Sequence, residues 1–81
     1  MKDKDIFNKI KEVLIEDFEV EEELITLQAS FYENLGLDSL DAIDLIVNLN
    51  NTYDVDIDNK EIEDIRTIEQ LIAVIKKNIE K

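Results

Sequence analysis

Ser39 is the side chain in this sequence whose type and position most favour chemistry. It follows the only glycine, Gly36, and comes directly after Asp38, a residue type that favours the N-cap of a helix. Asp41 lies three residues after Asp38 and predicts a capping box, with Asp where Glu or Gln is usual. Ser39 is therefore predicted at the first helical position, beside the positive end of the helix dipole. A phosphate ester on its hydroxyl would lie where helix termini favour anions.

The composition excludes most other chemistry. The 81 residues include no histidine and no cysteine, which excludes disulfides, a conventional zinc site and a nucleophile activated by histidine. Residues 54–58 begin like a calcium-binding loop, but Asn59 and Ile65 occupy the positions that need glycine and glutamate. We therefore expect no metal site and no enzymatic activity.

The charge balance predicts the kind of partner. Nine basic residues against 21 acidic ones give a net charge of −12. Such a surface disfavours nucleic acid and anionic membranes and favours basic protein surfaces, and its self-repulsion favours a monomer. No apolar run approaches membrane-spanning length and the N-terminus does not resemble a signal peptide, so we expect no membrane insertion and a cytoplasmic location.

Length and apolar content predict one domain over residues 1–81. Helical spacing of apolar residues predicts a first helix over residues 3–18, capped by Asp3 or Asp5. Residues 19–34 predict a long connecting loop with one helical turn, held to the rest of the chain by apolar side chains. These side chains are Leu24, Ile25, Leu27, Phe31 and Leu35.

Residues 39–53 predict the second helix, whose faces separate clearly. The core face consists of Ala42, Leu45, Ile46 and Leu49, and the solvent face of Asp41, Asp44, Asn48 and Asn51. Between them runs an apolar stripe of Leu40, Ile43 and Val47. Ordinary, partly buried packing would explain this stripe.

The remaining chain predicts two more helices. Residues 52–59 predict an extended loop with Val55 and Ile57 pointing inward, because a lone strand has nothing to pair with. Asp58 or Asn59 is expected to cap a short third helix that ends near residue 64. A last helix begins near Thr67 and buries Ile68, Leu71, Ile72, Ile75 and Ile79, with Lys76, Lys77 and Lys81 near its negative end. The predicted fold is all-α, a small antiparallel four-helix bundle with three main helices and one short helix.

The run from Asn34 to Ile46, centred on Asp38-Ser39-Leu40, resembles the 4'-phosphopantetheine attachment motif of acyl carrier proteins. The resemblance covers most of the chain from Phe31 onwards, whereas the first helix matches only in pattern. Beyond the motif it continues in register through Tyr53, Val55, Ile57, Asp58, Ile62, Ile65, Thr67 and Ile68.

This resemblance implies a function and a cofactor. A phosphopantetheinyl transferase would attach 4'-phosphopantetheine to Ser39, and the arm would hold acyl intermediates as thioesters. The carrier would deliver them to enzymes of fatty-acid or related lipid or polyketide biosynthesis that present basic patches. The partner-binding residues implied are Asp38, Leu40, Asp41, Ile43, Asp44 and Val47.

Two alternatives stay open. Many fatty-acid carriers keep acidic residues through the later part of the second helix, where this chain has Asn48, Asn50, Asn51 and Thr52. The cargo could therefore belong to a specialised acyl pathway instead of the housekeeping one. A different class is a small acidic helical adaptor without a prosthetic group, which binds a basic partner through helix 39–53. The adaptor predicts that Ser39→Ala is harmless, whereas the carrier predicts loss of function with the fold intact.

Overall fold

Four helices form the framework that holds Ser39. The computed structural model describes residues 2–80, apart from the side chain of Asn59. The helices are α1 (Asp3–Phe18), α2 (Ser39–Tyr53), α3 (Asn59–Asp64) and α4 (Ile68–Ile79), with a 3₁₀ turn at Glu22–Leu24. Residues 2–80 contain no strand, so the predicted all-α fold of three main helices and one short helix is confirmed. No helix in this part of the chain is long and apolar enough to cross a membrane.

The core lies where α1 packs against both α2 and α4, while α2 also contacts α3. Burial of one apolar stripe from each long helix removes these side chains from water and stabilises the bundle. The predicted core faces of α2 and α4 are confirmed, except that Ile79 is only partly buried. The buried stripes are Ile6, Ile10, Val13 and Leu14 of α1, Ala42, Leu45, Ile46 and Leu49 of α2, and Ile68, Leu71, Ile72 and Ile75 of α4.

Side chains cap α2, α3 and α4, as predicted. Asp58 accepts a hydrogen bond from the backbone N–H of Glu61 at the start of α3, so Asp58 is the cap of that helix. Thr67 and Gln70 form a complete capping box at the start of α4. These bonds satisfy backbone N–H groups that have no partner inside the helix.

The start of α1 differs from the prediction that Asp3 or Asp5 caps it. The N-cap is Lys2, and no side chain caps the helix, so that prediction is wrong. Asp3 lies inside the first turn, and its Oδ1 is 3.0 Å from the Nζ atom of Lys76 in α4. The hydrogen bond and the charge of Asp3 raise the pKa of Lys76 above its ordinary value. Asp3 therefore links α1 to α4.

Lys76 and Lys77 lie in the last turn of α4, as predicted. Lys81, which was predicted near the same end, lies outside the described residues.

Backbone hydrogen bonds link the long loop between α1 and α2 to the start of α4. The N–H groups of Ile68 and Glu69 donate to the carbonyl oxygens of Ala29 (3.3 Å) and Leu27 (3.0 Å). Ser30, to which the sequence assigned no role, forms an antiparallel bridge with Thr67. The loop thus supplies acceptors that the first turn of α4 lacks.

The apolar side chains of this loop divide into two groups. Ile25, Phe31 and Leu35 are buried as predicted. Leu24 and Leu27 are 45% and 43% exposed, so the prediction that they hold the loop through their side chains is wrong. The carbonyl oxygen of Leu27 accepts a hydrogen bond from α4, while its partly exposed side chain lines an open groove with residues of α4.

Residues 54–58 join α2 to α3 without forming a strand. Ile57 is buried and Val55 is partly buried against the core, as predicted. The backbone N–H of Ile57 donates to the side-chain oxygen of Asn50 at 3.2 Å. This bond links α2 to the residue immediately before Asp58, the cap of α3.

Candidate functional site

Ser39 occupies the first position of α2, and local hydrogen bonds fix it there. The backbone N–H of Asp41 donates to Asp38 Oδ1 at 2.9 Å, and the N–H of Asp38 donates to Asp41 Oδ2 at 3.3 Å. The predicted capping box is therefore complete, with Asp41 in the place of Glu or Gln. Because Asp38 supplies the cap, the Ser39 hydroxyl is not needed for it.

The turn before Ser39 depends on Gly36. This residue has φ +70°, in the left-handed region that favours glycine. Leu35 and Leu37 on either side of it are buried. The N–H of Leu37 donates to the carbonyl of Phe31 at 2.9 Å, which closes the turn. The start of α2 is thus held to the core immediately before Ser39.

Ser39 is exposed and lines an open groove of about 500 Å³. Its neighbour on α2 is Ile43, one helical turn further on. The other walls come from α3, from the link between α3 and α4, and from the loop before α2. The lining residues are Tyr32, Ser39, Ile43, Ile62, Glu63 and Arg66.

Tyr32 and Arg66 are groove residues to which the sequence assigned no role. The Cζ atom of Arg66 lies 5.8 Å from the centre of the Tyr32 ring, within the range of a cation–π interaction. Arg66 is the only arginine in the chain, a signal that was available in the sequence. Nothing in its local spacing indicates that it meets Tyr32, because the two are far apart along the chain.

The six residues predicted to bind partners lie together on α2 or at its N-cap. All are exposed except Asp41, which is partly buried. Leu40 is 71% exposed, so packing inside the chain does not explain an apolar residue there. The predicted face consists of Asp38, Leu40, Asp41, Ile43, Asp44 and Val47, and we call it the α2 face.

The polar residues late in α2 make contacts within the chain. Asn48 Nδ2 donates to Asp17 Oδ2 of α1 at 3.1 Å, although Asn48 was predicted on the solvent face. The hydroxyl of Thr52 donates to the carbonyl of Asn48 at 3.0 Å. Asn50 accepts from Ile57, as described above. Asn48 and Asn50 therefore link the later part of α2 to other parts of the fold, whereas the Thr52 bond stays within the helix.

The site fits a phosphate ester on Ser39. The Ser39 hydroxyl is exposed and makes no hydrogen bond to any group among residues 2–80. The helix start favours an anion, and Arg66 places a cation in the same groove. In the same described part of the chain, no three His, Cys, Asp or Glu residues converge as a metal site.

Comparisons with known proteins identify the family. The profile of the family described as phosphopantetheine attachment site matches residues 8–75. The acyl carrier protein of Buchnera aphidicola subsp. Acyrthosiphon pisum (strain Tuc7) is 39% identical over 79 residues, which cover 96% of this chain and 99% of that protein. The acyl carrier protein of Phytoplasma australiense is 34% identical over 74 residues, covering 91% and 97%.

A solved structure agrees with these relatives. The crystal structure of an acyl carrier protein from Thermotoga maritima superposes with a TM-score of 0.89 at 31% sequence identity. The superposition covers 99% of this chain and 93% of that one. The chain therefore belongs to the acyl carrier protein family and is a carrier of acyl groups on phosphopantetheine, a function consistent with fatty acid synthesis.

Proposed function

We propose that Ser39 is the residue that carries 4'-phosphopantetheine in this acyl carrier protein. The observation that carries the proposal is the exposed, uncommitted hydroxyl at the capped start of α2. The only other serine, Ser30, lies in the bridge to Thr67 and not at a helix start. When bound, the group supplies a terminal thiol that holds acyl chains as thioesters, which a chain without cysteine cannot provide by itself.

The chain contributes position and an oxygen atom to the attachment reaction. The Ser39 oxygen attacks the phosphorus atom of coenzyme A that bears pantetheine. The bond from that phosphorus to adenosine 3',5'-bisphosphate breaks, and a base on the transferase takes the hydroxyl proton. Because this chain has no histidine or cysteine to form a nucleophile–base pair, we propose that it is a substrate and carrier and not an enzyme.

The α2 face is the surface we propose for partner enzymes. Asp38, Asp41 and Asp44 place carboxylates around Ser39, where they attract basic patches on the transferase and on acyl-transferring or synthase enzymes. Leu40 and Val47 offer exposed apolar area beside these charges. Charges of this kind mainly raise the rate of encounter, while apolar contacts lengthen the life of the complex.

Two further parts of the proposal rest on charge and packing. A net charge of −12 opposes self-association and supports a monomer. One core cluster joins α1, α2 and α4, which supports a single carrier domain. The cytoplasmic location and the specific acyl pathway stay predictions.

The test is loading with acetyl coenzyme A and a broad-specificity phosphopantetheinyl transferase. Wild type should gain the mass of one acetyl-phosphopantetheine, and hydroxylamine, which cleaves thioesters, should then remove only the acetyl group. Ser39→Ala should gain nothing while keeping its helicity, and Ser30→Ala is the matched control that should still load. If the wild type does not load while the same transferase loads a known carrier protein, the proposal is contradicted. That result would favour the adaptor without a prosthetic group.

A further inference from the structure

Among the described residues, Arg66 is the only cation that lines the groove beside Ser39. It is also the only arginine in a chain of net charge −12. We propose that Arg66 is a positioning residue for the prosthetic arm, and that its guanidinium pairs with the phosphodiester formed on Ser39. This inference rests on the proposed attachment of the arm to Ser39.

The surroundings of Ser39 explain why such a cation matters. A phosphodiester there carries a negative charge and is next to the carboxylates of Asp38 and Asp41. Glu63, which unlike Asp38 and Asp41 lines the groove itself, adds a third carboxylate. The start of α2 attracts the phosphate, but three nearby carboxylates oppose that attraction. A guanidinium offsets this repulsion, and its planar set of donors matches two phosphate oxygens at once.

The structure holds Arg66 in place before any ligand is added. Its backbone N–H donates to Gln70 Oε1 at 2.7 Å, and its carbonyl accepts from the N–H of Phe31 at 3.0 Å. Phe31 is 1% exposed, so the neighbouring Tyr32 is anchored to the core through the chain. The Arg66 guanidinium lies over the Tyr32 ring at 5.8 Å. This contact favours a position of the long Arg66 side chain beside Tyr32, in the groove that both residues line.

The donors of Arg66 are available to a ligand. The ion pairs within 4.0 Å among the described residues join Lys9 to Glu12, Lys11 to Glu22, and Lys76 to Asp3, and none involves Arg66. A cation near the α2 face also weakens the attraction of basic partners to that face. The positive charge of Arg66 would repel basic partners, whereas it would attract the negative phosphodiester of the arm.

The experiment begins with loaded protein. Wild type, Arg66→Gln and Lys60→Gln are loaded with coenzyme A, and intact mass shows that each carries one phosphopantetheine. Lys60 is the matched control because it is exposed on α3, does not line the groove, and its replacement removes the same single charge. Failure of the wild type to load contradicts the proposed attachment, whereas the later measurements address Arg66 alone.

The readout is NMR of the arginine side chain and of the phosphodiester. Because the chain has one arginine, its Nε–H group gives a single signal that needs no assignment. We expect this signal to shift between the unloaded and loaded wild type. We also expect the phosphorus signal of the arm to move in Arg66→Gln and to stay at the wild-type position in Lys60→Gln.

Three results overturn the inference on loaded protein. One is an Arg66 Nε–H signal that is the same before and after loading. Another is a phosphorus signal that is the same in wild type and Arg66→Gln. The third is an equal displacement of the phosphorus signal in Arg66→Gln and Lys60→Gln, which would indicate net charge and not pairing.

Discussion

Gly36, Asp38 and Asp41 determine at the residue scale where the Ser39 hydroxyl lies. Gly36 turns the chain with φ +70°, and the two aspartates then close the first turn of α2 by reciprocal hydrogen bonds. These features are local, so they were predictable from residue types and spacing alone. The Ser39 hydroxyl takes no part in these bonds and is exposed.

Replacement of Asp38 tests the cap. Asp38→Ala removes the acceptor for the Asp41 N–H, and we expect it to lower the free energy of unfolding by about 1 kcal/mol. Asp38→Asn keeps a side-chain oxygen at this position and should stay close to wild type. Urea unfolding followed by circular dichroism measures both. An Asn variant as unstable as the Ala variant would contradict a hydrogen-bond role for this side chain.

Replacement of Gly36 tests the turn. A Cβ added at Gly36 meets no heavy atom within 4 Å, so any cost of Gly36→Ala comes from the backbone conformation. We expect a loss of about 1 kcal/mol or more, because alanine disfavours a positive φ. Gly36→Asn should lose less, because asparagine tolerates the left-handed region better. Equal stability of the three proteins in urea would show that the turn does not require this conformation.

At the scale of elements, α2 combines a buried face with an apolar face that the chain leaves exposed. Leu49 is 0% exposed, whereas Leu40 is 71% exposed on the same helix. The helical period predicted both stripes, but the sequence alone did not decide whether Leu40, Ile43 and Val47 packed inside the chain. The structure shows that they do not pack into the core.

A pair of alanine substitutions separates the two faces of α2. Leu49→Ala should lower the free energy of unfolding by about 2–5 kcal/mol, because it leaves a cavity in the core. Leu40→Ala should change it by less than about 0.5 kcal/mol, as at an ordinary surface position. The same Leu40→Ala protein should be a poorer transferase substrate, with a lower kcat/KM for loading. Unchanged loading kinetics would remove Leu40 from the proposed partner surface.

The loop between α1 and α2 shows where prediction from sequence fails. Its apolar residues indicated side-chain anchoring, yet Leu27 contacts α4 through its carbonyl while its side chain is exposed. Backbone hydrogen bonds of this kind do not depend on side-chain type, so no pattern of residue types predicts them. The contact of Tyr32 with Arg66 was missed for a related reason, since it depends on how the loop and the α3–α4 link are brought together.

At the scale of the whole molecule, acids near the start of α1 interact with both other long helices. Asp3 pairs with Lys76 of α4 and raises its pKa. Burial raises the pKa of Tyr53 at the end of α2, and the charge of Asp5 adds to this effect. Both groups therefore hold their protons more tightly in the folded state than in the unfolded state.

This difference predicts a loss of stability at alkaline pH. A raised pKa in the folded state contributes stability below the ordinary values of 10.0 for Tyr53 and 10.5 for Lys76, and loses it as pH rises through the folded value. The free energy of unfolding should therefore fall as pH rises above about 10, the ordinary value for tyrosine. Tyr53→Phe and Lys76→Gln should each make this fall shallower. If the wild type and the Tyr53→Phe, Lys76→Gln double variant lose the same free energy of unfolding over this pH range, the loss does not come from these two groups.

The most direct test of the central claim is to locate the phosphopantetheine group on the chain by fragmentation of loaded protein. Cleavage after glutamate cuts at Glu33, which lies between Ser30 and Ser39 and places the two serines on different peptides. We predict that the added mass falls on the peptide that begins at Asn34, and that fragment ions assign it to Ser39. The group on the Ser30 peptide, or on any residue other than Ser39, would contradict the account of this site.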